Sequence, residues 1–171
     1  MQLTRFLPAL LILACAAPAC ASSPVAGTWR FDATRSTELS PWSNCVLTIS
    51  VDGDNVSIAR QLGAGRRGFA DSMTIDVSRD ENIVPVPMWP DNRHIGAYIG
   101  GDHTKTVHAQ WLDDGRILRL STDLVLSTQQ GDRSVNILSD YKVSANGSQL
   151  TLIELRSTRN RPITYVFNRA N

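Results

Sequence analysis

Leu118-Arg119-Leu120-Ser121-Thr122-Asp123-Leu124-Val125-Leu126-Ser127-Thr128-Gln129-Gln130-Gly131-Asp132-Arg133-Ser134-Val135-Asn136-Ile137-Leu138-Ser139-Asp140-Tyr141-Lys142-Val143 decides the fold. Leu118, Leu120, Leu124 and Leu126 keep one alternating phase, and Val135, Ile137, Tyr141 and Val143 keep another. Successive side chains of a strand point to opposite faces, so an apolar period of two marks a strand that buries one face. Between the two runs, Gln129-Gln130-Gly131-Asp132 supplies a glycine able to take the positive φ of a tight turn. The stretch therefore predicts two long neighbouring antiparallel strands.

The same period extends in both directions. Upstream it runs through Val25/Gly27/Trp29/Phe31, Cys45/Leu47/Ile49/Val51, Val56/Ile58/Leu62, Met73/Ile75/Val77, Ile95/Ala97/Ile99 and Val107/Ala109/Trp111. Downstream, Leu150 to Leu155 is apolar on both faces and Ile163/Tyr165/Phe167 closes the series. Asp52-Gly53-Asp54-Asn55, Asp113-Asp114-Gly115, Asn146-Gly147 and Asn160-Arg161-Pro162 separate these runs with turn residues. No stretch holds apolar residues at i, i+3, i+4 and i+7 through several turns, as a core helix requires. The expectation is an all-β chain, a single antiparallel meander of roughly eight to ten strands, which hides its edges completely only by closing into a barrel. A β-sandwich is the alternative architecture. Pro85, Pro87 and Pro90 lack backbone N–H groups, so Ile83 to Asn92 reads as a long loop or lid.

Ahead of the strands, Arg5, the mostly apolar run Phe6 to Ala17 and the small-x-small triplet Ala19-Cys20-Ala21 have the layout of a secretory signal peptide. Residues 1–21 are read as that leader and residues 22–171 as one barrel domain, periplasmic or secreted. Ile12-Leu13-Ala14-Cys15 also resembles a lipobox, so lipid attachment at Cys15 or Cys20 is the alternative, tethering the domain to a membrane. Arg5 stands close to Cys15 for such a site, and Pro18 fits poorly before Cys20. The charges, 17 Lys+Arg against 16 Asp+Glu, are nearly balanced, which removes the electrostatic basis for nucleic-acid binding. Beyond the leader only Cys45 remains, excluding an internal disulfide framework.

Gly27-Thr28-Trp29 resembles the G-x-W motif on the first strand of lipocalin-like, or calycin, barrels. Ser139-Asp140-Tyr141 is loosely similar to their T-D-Y segment, and Arg169 takes the place of the arginine that packs over the first-strand tryptophan. The opening Gly-Thr-Trp-Arg-Phe-Asp, followed by Ser36, is also similar to secreted bacterial lipocalin-like domains. The chain departs from that pattern in lacking the usual disulfide and a clear C-terminal helix. The resemblance implies a cup for a small apolar or amphipathic molecule, with Gly27, Trp29 and Arg169 as structural residues. It does not imply catalysis, since function belongs to sites rather than folds.

Other motif matches fail on context. Gly63-Ala64-Gly65-Arg66-Arg67-Gly68 fits G-x-G-x-x-G, but a strand-like run follows where a dinucleotide site needs a helix N-terminus, so it reads as a hairpin loop. Ser139-Asp140-Tyr141-Lys142 fits S-x-x-K, yet residues three apart on a strand face opposite ways. His94, His103 and His108 lack the convergent partners of a zinc site. Asp52/Asp54 and Asp113/Asp114 sit in glycine-containing turns rather than a cleft. No catalytic residue, metal or cofactor is therefore expected, and the chain is read as a non-enzyme. Arg60 and Glu154 stand out because they occupy the apolar phase of their strands. An inward arginine could pair with a ligand carboxylate; near a strand end it could instead reach out to water. Arg60, Tyr98, Trp111 and Tyr141 are the ligand-contact candidates for a small hydrophobic or amphipathic molecule. A protein-interaction module, an inhibitor or envelope-assembly factor with an envelope partner, is the second reading.

Overall fold

Alternation along the chain is realised as strands whose inward residues fill the interior of a barrel. The computed structural model describes residues 23–88 and 98–170. Eleven strands form one antiparallel sheet: β1 (Gly27–Phe31), β2 (Asn44–Asp52), β3 (Asn55–Ala64), β4 (Arg67–Asp76), β5 (Asn82–Pro85), β6 (Tyr98–Ile99), β7 (Thr104–Leu112), β8 (Ile117–Thr128), β9 (Gly131–Val143), β10 (Gln149–Arg156) and β11 (Ile163–Arg169). The only helical element among the described residues is a 3-10 turn, Ala33–Arg35, after β1. Spatial order runs β4-β3-β2-β1-β11-β10-β9-β8-β7-β5, with β6 paired to the far end of β8. The first strand pairs with the last, Trp29 opposite Arg169 and Phe31 opposite Phe167, so the meander curls into a nearly closed barrel rather than a sandwich. Expectation and structure agree on the quoted stretch, where β8 and β9 pair from Ile117↔Lys142 to Thr128↔Gly131.

Two local differences from the sequence reading have plain causes. Asn82–Pro85 is a strand within the segment expected to be a loop, because it pairs only with β7 and its proline stands last, where a missing ladder donor is tolerated. Of the Ile95/Ala97/Ile99 run, Ile99 falls in β6, while Ile95 and Ala97 lie outside the described residues. The leader, Cys15, Cys20 and His94 lie outside them as well.

The two ends of the barrel differ. At the end bearing the β2–β3, β7–β8 and β9–β10 turns the interior is solid: Trp29, Leu47, Ile49, Val56, Ile75, Val107, Leu118 and Leu150 are all buried. Trp29 is fully buried, and its indole N–H donates to the Val25 carbonyl at 3.0 Å. The Arg169 guanidinium lies 4.0 Å over the Trp29 ring and donates to the carbonyls of Gly147, Ala26 and Pro24 at 2.6, 2.9 and 2.8 Å. Cation–π contact and three charge-assisted hydrogen bonds thus tie the first strand, the last strand and the β9–β10 turn together. Gly27 is required there twice over, by its φ of +139° and by the space a Cβ would need, 2.5 Å from Arg169 Nη1.

Between β4 and β5 the barrel is fastened by a side chain. The Asn82 amide accepts from the Asp76 N–H at 2.8 Å and donates to the Asp76 carbonyl at 3.0 Å, imitating a strand partner. It also reaches the Val107 carbonyl at 3.4 Å. Asn82→Leu removes the side-chain partner of the Asp76 N–H and one of the two donors to the Asp76 carbonyl, which keeps the Arg79 N–H at 3.3 Å, and lowers stability by about 1–2 kcal/mol in urea unfolding. Gly27→Ala is destabilising by a similar ~1–3 kcal/mol, from strain and collision together. The double variant with Arg169→Ala loses less than the sum of the two singles, since the collision needs both partners.

Candidate functional site

Above the solid end, the inward positions of β3, β4, β7, β9 and β10 change from apolar to charged and polar. Alternation fixes their direction: Arg60 follows Ile58, Asp71 precedes Met73 and Ile75, Lys105 precedes Val107, Ser139 and Tyr141 follow Ile137, and Glu154 and Arg156 follow Leu152. Together they line a cavity within which the centres of water-sized molecules have about 150 Å³ to occupy, roughly ten times the room one water needs. Apolar walls come from Ile58, Leu62, Leu120, Leu124 and Ile137. Leu39 and Trp42, from the segment after the 3-10 turn, cover one side, where Trp42 stacks on Phe69 at 6.2 Å between ring centroids. The cavity reaches the seam of the barrel, flanked by Asp71 to Met73 on β4 and Val84 to Met88 on and after β5.

Two ion pairs organise the polar cluster. Arg60 stands directly opposite Asp71 across the β3–β4 ladder, with Nε donating to Oδ1 at 2.9 Å and Nη2 to Oδ2. Burial acts to lower the Arg60 guanidinium pKa, but the hydrogen bonds and charge of Asp71 outweigh it, so the pKa is raised and the arginine stays charged. Glu154 and Arg156, two apart on one face of β10, form a buried pair through Glu154 Oε2, at 3.2 Å from Arg156 Nε and 2.6 Å from Nη2. Desolvation of these four charges is balanced by bidentate or doubled hydrogen bonding within each pair.

Lys105 has no such arrangement. It lies beside Val84 and Leu124 in the register, and no ion pair or hydrogen bond joins its ammonium to any of the described residues. Burial, then the nearby Arg60 charge, lower its pKa to about 8, against the opposing effect of Asp71 and Glu154. Burial likewise raises the Tyr141 phenol, keeping it neutral as a hydrogen-bonding group, and pushes the Cys45 thiol up to about 11. A thiol so raised is a poor nucleophile near neutral pH.

The sequence-derived candidates are distributed unevenly around this cavity. Arg60 and Tyr141 line it, and so does Glu154, read as inward. Trp111 packs half-buried against the core at the solid end, and Tyr98 projects outward from β6 with 72% of its surface exposed. Asp71, Lys105 and Arg156 were not singled out from sequence, although each had a signal. Asp71 falls opposite Arg60 once the turn is centred on Gly65-Arg66; Lys105 and Arg156 continue the inward phases of Val107 and Leu152. His103 and His108 are exposed, and His108 Nδ1 lies 2.5 Å from the Asp80 carbonyl. Among the described residues no group of three His, Cys, Asp or Glu could hold a metal ion.

Fold and cavity together define a nearly closed, lipocalin-like antiparallel β-barrel with a hollow, partly charged interior. Its arrangement is similar to the crystal structure of secretory abundant heat soluble protein 4 from Ramazzottius varieornatus, with a TM-score of 0.53 over 90% of this chain and 99% of that one. Sequence identity is 8%, so the likeness is one of fold alone. No known protein family matches the chain, and no curated protein sequence does.

The half-buried lysine makes a signed prediction. A folded-state pKa of about 8, below the free value of 10.5, means that the unfolded chain binds more protons across that interval, and Lys105 burial becomes less costly as pH rises through it. Lys105→Met therefore raises the melting temperature of the empty barrel at pH 7, and its advantage over wild type shrinks from pH 8 upward. An advantage constant over that range in differential scanning calorimetry contradicts the account.

Proposed function

We propose that this protein is an exported, non-catalytic binding module of the lipocalin-like kind that holds one small amphipathic molecule inside its barrel. One observation carries the reading. The interior is packed solid at one end, while at the other it holds a cavity whose aliphatic lining is interspersed with charged groups from β3, β4, β7 and β10, the mixture by which ligand pockets orient a bound molecule. A domain that needed only stability would be better served by apolar side chains in place of the Glu154–Arg156 and Arg60–Asp71 pairs. The signal-peptide layout of residues 1–21 supports delivery outside the cytoplasm. Against chemistry at this site stand the raised thiol of Cys45 and the engagement of both cavity carboxylates by arginines.

Native mass spectrometry of the protein purified from its own host tests the proposal: one small molecule remains bound and is released on unfolding. Met73 lines the seam side of the cavity, so Met73→Trp obstructs it and lowers uptake of the uncharged dye Nile red by about tenfold, as loss of good apolar contact area does. A barrel that carries nothing from its host and takes up no dye sinks the reading.

A further inference from the structure

Charge bookkeeping inside the cavity specifies more than amphipathic character. Resting on the carrier reading above, we infer that the ligand carries a single anionic group and sets it against Lys105. Among the described residues, five charged side chains line the cavity: Arg60, Asp71, Lys105, Glu154 and Arg156. Four of them are committed to the two arginine–carboxylate pairs, so one positive charge is left over, and it belongs to the residue without a partner among those described. An ammonium half withdrawn from water and without a paired counter-charge is costly to hold, and a ligand anion lowers that cost. A neutral ligand leaves the cost in place, and a cationic one adds a like charge to a site already one positive in excess.

Neighbouring groups narrow the chemistry further. Toward Lys105 the cavity presents Arg60 from β3, Asp71 from β4, Tyr141 from β9, and Glu154 and Arg156 from β10, with Cys45 from β2 close to Arg60. The two carboxylates repel a second negative charge, which disfavours a dianionic phosphate and favours a monoanion such as a carboxylate. The neutral Tyr141 hydroxyl is a hydrogen-bond donor on the same lining. Val84 and Leu124 flank Lys105 in the ladder and Ile137 lines the same cavity, so the apolar part of the molecule lies against aliphatic walls.

Displacement of bound Nile red by decanoate, decanol and decylamine, each kept below aggregation, separates the possibilities. Decanoate displaces the dye at about tenfold lower concentration than decanol, the ratio expected for one charge-assisted contact, and decylamine is the weakest of the three. Lys105→Met removes most of the decanoate advantage and leaves decanol unchanged; Lys105→Arg, which keeps the charge, retains the advantage. Because Lys105 protonates below about pH 8, the decanoate advantage is full at pH 6 and falls as pH rises past that value. Thermal melting of each variant without ligand establishes that it is folded. Equal displacement by acid and alcohol in the wild type, or a preference for acid that survives in Lys105→Met, overturns the inference while leaving the carrier reading intact. Failure of the barrel to take up Nile red or any of the three amphiphiles overturns both.

Discussion

Pairing of the first strand with the last is the constraint on which the rest of this structure depends. A meander of antiparallel hairpins is locally self-sufficient, and nothing within any hairpin instructs the sheet to curl. The contact of β1 with β11 supplies that instruction, and Trp29 and Arg169 face each other at its end, the ring beneath the guanidinium. Trp29 blocks the interior at that level and sets a floor. Inward residues below this level are tightly buried and apolar. Those above it are free to be polar, because the floor already anchors the wall.

That division explains why charged side chains are tolerated inside. The solid end provides most of the apolar burial, and the upper half uses part of that stability to hold two arginine–carboxylate pairs and a lysine with no ion-pair partner among the described residues. Each pair is drawn from neighbouring strands or from one strand, so it is assembled by register alone: Arg60 opposite Asp71, Glu154 two positions from Arg156. Their geometry is accordingly as rigid as the ladder. Lys105, on a longer and more flexible stem, is the adaptable member of the cluster.

How much of this was legible in the sequence follows from the reach of each interaction. Alternation and turn residues sufficed for the strands from β7 to β11 and for the hairpins around Gly53, Gly65 and Gly131, because each hairpin is decided within about twenty residues. Closure was legible through Gly27, Trp29 and Arg169, a contact between chain ends that only the resemblance to lipocalin-like barrels made visible. Inward charge at Arg60 and Glu154 was readable from phase, and the same phase reaches Arg156 two positions on, whereas Asp71 as the partner of Arg60 required register. The seam was not readable at all. Asn82 reads as an ordinary polar residue beside a proline-rich segment, and its part in fastening β4 to β5 depends on a tertiary meeting that no local pattern encodes.

At that seam the wall is fastened by one side-chain amide where elsewhere it is fastened by continuous ladders. A ring joined everywhere by backbone bonds has a fixed circumference, since widening it anywhere means breaking several bonds at once. Here the girth of the barrel is set by a clasp at the level of Asp76 and Asn82, and the cavity meets the same seam farther along, between Asp71–Met73 and Val84–Met88. Because no backbone ladder joins β4 to β5, a change of girth beside the cavity breaks the pairing of no strand, while the floor and the remaining staves keep their places.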